Sequence, residues 1–213
     1  IMSLDVGEGI TALGSSLFER CTNMTEISLP TTLTAIGERC FFMYSSGGLT
    51  SLVIPKNVKT IGEKAFVCCE IESVTIPFSV KEIGSHAFNG CSSLASVTIG
   101  SGVTGIDEWT FSDCSGLTSI NIPNSITTIG KASFDGCSGL TSVTIGNGVT
   151  SIGQQAFYNC SRLTKVTVRA ATPPALDYFA FDNTNNCPIY VPAASVNTYK
   201  SANRWSNYAS RIQ

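Results

Sequence analysis

Charge is scarce in this 213-residue chain: 13% of residues are Asp, Glu, Lys or Arg, about half the usual share of roughly 25% in globular proteins. Thirteen bases against fifteen acids leave a net charge of -2, so there is no basic field to neutralise phosphates, and nucleic acid is not an expected partner. Histidine is almost absent, with His86 alone. The nine cysteines include no C-x-x-C pair, so the spacing of a Cys/His zinc set is lacking and no metal is expected. Long apolar runs are missing too. The uncharged stretch from Gly136 to Ser161 alternates apolar residues with Ser, Thr, Asn, Gln and Gly, short of the roughly 18 continuous apolar residues of a membrane span. No basic-then-apolar export segment opens the chain, which starts on Ile1.

What is abundant is repetition. The recurring Ile-Gly and Ala-Phe pairs align into a 23-residue unit, L-x-x-V-x-I-[PG]-x-x-V-x-x-I-G-x-x-A-F-x-x-C-x-x. Units begin at Ile1, Met24, Leu49, Ile71, Leu94, Leu117 and Leu140, and a half unit runs from Leu163 to Val168. The fourth position is always apolar (Leu4, Ile27, Leu52, Val74, Val97, Ile120, Val143, Val166), and Phe18, Phe41, Phe66, Phe88, Phe111, Phe134 and Phe157 form a second invariant column. Within a unit, Ser142-Val143-Thr144-Ile145 alternates polar and apolar residues as a half-buried strand does, and Gly146-Asn147-Gly148 supplies a turn. A second short strand is expected over Val149 to Ile152, then a single helical or 3₁₀ turn from Gln154 to Cys160. One unit cannot bury its apolar face alone, but stacked units can, with like strands parallel. The expected fold is therefore a repeat solenoid.

Two irregularities stand out. Two extra residues around Met43 to Gly48 predict a surface protrusion, and the Gly that follows Ile in each coil becomes Asp107 in the fifth, a residue less tolerant of left-handed backbone. The array, residues 1–168, is followed by residues 169–213, read as a degenerate repeat and cap: Ala180-Phe181 echoes the Ala-Phe pair and Ile189 to Val191 reads as one more strand. Val196, Tyr199, Trp205, Tyr208 and Ile212 are spaced to lie near one face of a covering helix. Because residue 1 is already the first position of a coil, the native protein is expected to continue upstream.

Units such as Leu140-Thr141-Ser142-Val143-Thr144-Ile145 followed by Val149-Thr150-Ser151-Ile152-Gly153 and Ala156-Phe157 resemble the BspA-like leucine-rich repeats of the 23-residue treponemal type. The resemblance spans residues 1–168, and the tail from Ile189 to Trp205 is similar to the closing segment of such proteins. It implies a right-handed leucine-rich-repeat coil of parallel strands with a C-terminal strand and helix cap, on an extracellular or cell-surface bacterial protein. It further implies adhesion or protein recognition, with a host matrix or cell-surface protein as partner, and no catalytic residue or cofactor. A structural spacer and a carbohydrate-binding module are the alternatives.

Cys21, Cys69, Cys91, Cys114, Cys137 and Cys160 share one column. They read as buried, unbridged thiols behaving as small hydrophobes, because parallel Cβ vectors on stacked coils disfavour disulfides. His86 lies in a variable, mostly polar column and reads as a solvated side chain rather than a base; no G-x-S-x-G, P-loop or dinucleotide fingerprint is present. The polar strand columns form the expected binding face: Ser73, Ser96, Ser119 and Ser142 at the third position, and Thr75, Thr98, Asn121 and Thr144 at the fifth. Eight strands of six residues give a face of about 30 by 20 Å, and the columns as read contain no Trp, Tyr or Arg. Aromatic departures from the repeat, Phe42, Tyr44, Phe78, Trp109 and Tyr158, are the better candidate anchors.

Overall fold

The computed structural model describes residues 2–213; Ile1, read as the opening position of the first coil, lies outside them. A coil contributes a strand, a second two-residue strand and a wall of turns, except that the third coil forms only the second strand, Thr60–Ile61, and like segments stack in parallel. Stacking registers are set by the repeat: Ser119, Ile120, Asn121 and Ile122 pair with Ser142, Val143, Thr144 and Ile145, and these with Lys165, Val166, Thr167 and Val168. Val and Ile point inward while Ser and Thr point out, the alternation that a pleated strand imposes.

A stack of phenylalanines fills the core. Phe18, Phe41, Phe66, Phe88, Phe111, Phe134, Phe157 and Phe181 follow one another with ring centroids 5.1 to 5.5 Å apart and interplanar angles of 20° or less. All but the half-buried Phe18 are fully enclosed. Phe181, from the Ala-Phe pair after residue 168, continues this stack beyond Phe157.

The first ladder is interrupted at intervals, and proline is the reason. Where the incoming coil carries Gly100, Gly146 or Arg169 after its strand, that N–H donates to Ile76, Ile122 or Ile145 at 2.9 to 3.0 Å. Where it carries Pro55, Pro77 or Pro123 there is no donor, and strand pairing stops at those three steps. Beside Pro30 the pairing of Met2–Asp5 with Met24–Ser28 survives, with a register shift between Met2 and Ser3.

The turn wall differs from the single helical or 3₁₀ turn expected there. In each coil, N–H groups alternate between a turn bond three residues back and a bond to the next coil, as Ala87 to Gly84 (3.2 Å) and Phe88 to Thr110 (2.9 Å) do. That geometry places a left-handed residue in every coil at Ser16, Arg39, Lys64, His86, Trp109, Ala132, Gln155 and Phe179, at φ 50 to 60°, and in most coils a second one, as at Cys68, Gly90, Asp113, Gly136 and Asn159. Conversely, the Ile-Gly column is not left-handed. A Cβ on Gly37 would come within 2.6 Å of the Gly14 carbonyl carbon, so glycine is there for close stacking of coils rather than for positive φ.

The C-terminal segment folds as the six-residue helix Val196–Ser201 and the 3₁₀ turn Trp205–Tyr208, separated at Arg204 (φ 62°), rather than as one helix. Tyr199, Trp205 and Tyr208 are buried against Phe181 and one another. Trp205 Nε1 donates to Pro174 O (2.7 Å) and Tyr199 Oη to Ala170 O (2.8 Å), so the large rings close the core with their polar atoms satisfied. Ile212 leaves the expected helical face to bridge Ile189 as a final strand-like rung.

Candidate interaction surface

The strand columns face outward as expected. Ser73, Ser96, Ser119, Thr75, Thr98 and Asn121 are exposed, and Ser142 and Thr144 are half-buried. Their hydroxyls and amides donate to no other side chain among the described residues. Two apolar groups modify this face: Val53 is 75% exposed, and Tyr190, which stacks on Thr167, stands with the Lys165 ammonium 5.4 Å from its ring centre. The face is thus not free of tyrosine, because the degenerate coil adds a strand that the repeat pattern did not assign to these columns.

The aromatic candidates lie elsewhere. Phe42, Trp109 and Tyr158 occupy the turn wall and are half-buried, Tyr44 crowns the inserted loop, and Phe78 stands 70% exposed in the turn after Ser73–Ile76. Only some come together. Phe42 and Tyr44 meet edge to face at 4.9 Å, and each carries a guanidinium 4.1 Å from its ring centre, Arg39 on Phe42 and Arg20 on Tyr44. Arg39 also bonds Glu19 (2.8 Å) and donates to Tyr44 Oη (3.2 Å). The hydrogen bonds from Arg39 and from Ser16 hold the Glu19 carboxyl down at about 2. Trp109 is separate, stacked on His86 with 6.0 Å between centroids and 10° between planes. Phe78 and Tyr158 join neither group.

Sequence reasoning missed three parts of this surface. Arg20, Arg39 and Glu19 were legible only as polar residues near the insertion. Tyr178 and Phe179 are both more than half exposed, with the Arg204 guanidinium 3.8 Å from the Tyr178 ring centre. His86, expected to be solvated, is half-buried against Trp109, and its Nδ1 is enclosed without a partner; burial first, then the Lys64 charge, lowers its pKa.

The cysteine column is buried and unbridged from Cys69 to Cys160, with Cys21 half-buried. Burial raises each of those five buried thiols above its ordinary range, and Cys40 is pushed up to about 12, the opposite of an activated nucleophile. The thiols are not merely apolar fillers. Cys69, Cys91, Cys114, Cys137 and Cys160 each donate to the carbonyl of a phenylalanine in the preceding coil, at 3.0 to 3.3 Å. No group of three or more His, Cys, Asp or Glu side chains able to hold a metal occurs among the described residues. A cleft of about 650 Å³ in the C-terminal cap is lined by Asp182, Asn183, Asn207 and Arg211, and none of the candidate residues reaches it.

The comparisons with known proteins agree with this architecture. No curated protein matches the chain. A leucine-rich repeat protein of Bacteroides ovatus is 25% identical over 90% of this chain and 67% of its own, with a TM-score of 0.51. The Treponema pallidum leucine-rich repeat protein superposes at a TM-score of 0.62 with 21% identity, covering 92% of this chain and 80% of that one. The pneumococcal vaccine antigen PcpA gives 0.61 with 17% identity over 90% of this chain. This chain spans 61% of that antigen's length, and the last two likenesses speak to the fold alone. The family model for the BspA type leucine-rich repeat region matches in six copies over residues 1–70 and 59–188. That match covers most of the stacked coils, and the chain belongs to the BspA-type leucine-rich repeat proteins.

Proposed function

We propose that the chain is a non-enzymatic recognition module of a bacterial surface or secreted protein, binding a protein partner such as a host matrix or cell-surface protein. The observation that carries this reading is the cluster of Arg20, Arg39, Phe42 and Tyr44 at the inserted loop. Tyr and Arg dominate the energetics of protein interfaces, and here Tyr44 is 62% exposed while its guanidinium neighbours and Glu19 hold it in place. Pre-positioning lowers the side-chain entropy lost on binding. The Ser/Thr strand face supplies a flat, polar flank on another wall. Repetition of weak contacts along the coil would add avidity. Family membership supports a surface location, and no helix among the described residues is long and apolar enough to cross a membrane.

A screen of immobilised matrix proteins and glycans tests the reading, followed by Tyr44→Ala and Arg20→Ala. Each substitution is expected to weaken binding about tenfold or more, as truncation of an interface anchor does, with an unchanged thermal transition. Glycan binding lost on Phe78→Ala or Tyr158→Ala would favour the carbohydrate module instead, and silence toward both ligand classes would favour a spacer.

A further inference from the structure

The second ladder runs unbroken along the solenoid except at one step. Lys81 N–H donates to Lys59 O (2.8 Å) and Gly84 N–H to Ile61 O (2.9 Å); after the fifth coil, Thr127 donates to Thr104 O (2.8 Å) and Gly130 to Ile106 O (2.7 Å). Between the fourth and fifth coils the two equivalent bonds, from Thr104 to Lys81 O and from Asp107 to Ile83 O, are missing, and the sheet ends at Glu82–Ile83 and restarts at Gly105–Ile106. A cleft of about 480 Å³ opens there, lined by Thr60, Lys81, Glu82, Thr104, Asp107 and Thr128 among others.

Asp107 stands where other coils have the stacking glycine. In that column any Cβ is aimed at the backbone of the preceding coil: on Gly84 it would meet Glu63 N at 2.5 Å, and on Gly130 the Asp107 carbonyl carbon at 2.6 Å. Shape alone does not open the array, since Asp177 fills the same column in the last coil and still donates to Ile152 O at 2.9 Å. The difference is charge. Asp177 has Arg204 at 3.1 Å, whereas Asp107 faces Glu82 from the fourth coil and has Glu108 beside it, with Glu63 and Lys81 also lining the cleft. On the turn wall His86 is stacked on Trp109 and Lys64 is paired with Glu63, while Lys131 of the following coil is exposed. Elsewhere the junction is intact. Ser73–Ile76 pairs with Ser96–Ile99, Phe88 stacks on Phe111, and His86 N–H bonds Glu108 O at 3.0 Å.

We propose that the junction between the fourth and fifth coils is a pH-sensitive joint, held open at one corner by the Asp107 carboxylate and closing when that carboxylate is neutralised. The paired strands Ser73–Ile76 and Ser96–Ile99 form its fixed side, and the Asp107 corner is its mouth. Closing would restore two ladder bonds and alter how the first four coils sit on the rest, and with it the spacing of any contacts made across both halves. Partial shielding from water and the Glu108 and Glu82 charges both disfavour ionised Asp107, so acid should close the joint within the carboxylate range.

Amide hydrogen exchange of the intact chain tests this directly. Protection factors at Thr104 and Asp107 are compared with those at Thr127 and Gly130 in the wild type, Asp107→Gly and Asp107→Asn. At neutral pH the wild-type Thr104 and Asp107 amides should be the less protected, and Asp107→Gly should raise Thr104 and residue 107 protection at least about fivefold, the gain of one net hydrogen bond. Lowering the pH to about 4.5 should raise wild-type protection at the same amides and leave both variants flat. Equal protection at all four sites in the wild type, no gain in Asp107→Gly, or a pH response shared by Asp107→Asn would each overturn the proposal.

Discussion

The Cys114 thiol donates to the carbonyl oxygen of Phe88, 3.3 Å away in the preceding coil. The same carbonyl accepts the Cys91 N–H within its own coil, so backbone and thiol together satisfy a fully buried acceptor with two lone pairs. Cys114→Ala should lose about 1 kcal/mol for the donor and a further amount for the void. Cys114→Ser retains a donor and should lose less than Ala in a urea titration. Equal losses would mean that the column contributes volume alone.

Thiol accessibility follows from the same column. Cys21 and Cys68 are half-buried, and the remaining seven cysteines are buried. With the thiols of Cys69, Cys91, Cys114, Cys137 and Cys160 raised by burial, the native protein at pH 8 should consume no more than two equivalents of an aromatic disulfide reagent quickly. The rest should react only at the unfolding rate. Fast reaction of more than two would show that the coils part in the native state.

Glu19 provides a titration of the candidate anchor. Its carboxyl is lowered from 4.5 to about 2, first by the Arg39 hydrogen bond. A lowered carboxylate stabilises the folded arrangement above the ordinary value and loses that contribution as pH falls through the lower one. Carbon-detected NMR of the Glu19 carboxyl should therefore show a midpoint near 2, and Arg39→Ala should move it back toward 4.5. A midpoint near 4.5 in the wild type would mean that the cluster is loose in solution and Tyr44 unsupported.

The left-handed column carries a backbone cost that one substitution can relieve. Gln155 sits at φ 57° on the turn wall and is half-buried. Gln155→Gly should stabilise the array by about 1 kcal/mol, the steric penalty of a Cβ in that region, whereas Gln155→Val should destabilise it. A loss of stability with glycine would show that the side chain packs more strongly than its backbone is strained.

Phe111→Ala removes one member of the phenylalanine stack, whose neighbours Phe88 and Phe134 lie 5.4 and 5.5 Å away. The loss expected for a buried phenylalanine is about 3 to 5 kcal/mol. Because each coil contacts only its neighbours, the melt should broaden or split into two transitions, which calorimetry would resolve. A small, uniform shift of a single sharp transition would count against nearest-neighbour stacking.

The period of the repeat, the inward columns, the buried thiols and the outward Ser/Thr strands were legible in the chain, because stacking a 23-residue unit on itself makes every column a local copy of the same environment. Phe181 could be found from the same pair. Features that depend on what one coil does to the next were not legible. One left-handed column is filled by Ser, Arg, Lys, His, Trp, Ala, Gln and Phe, residue types that share no signal for positive φ, whereas a second, at Gly90, Asp113, Gly136, Asn159 and Asn183, uses residues that tolerate it; the alternation of turn bonds and bonds between coils demands the first. Glycine after Ile reads in the sequence as a left-handed position, yet the tight approach of stacked backbones is what excludes a side chain there. Sequence by itself determined a BspA-type coil with a buried phenylalanine column. Tertiary structure alone decided that Arg20, Arg39, Phe42 and Tyr44 meet at the insertion, that Tyr190 joins the strand face, and that the array opens at Asp107, since each depends on residues from different coils whose approach is set by packing.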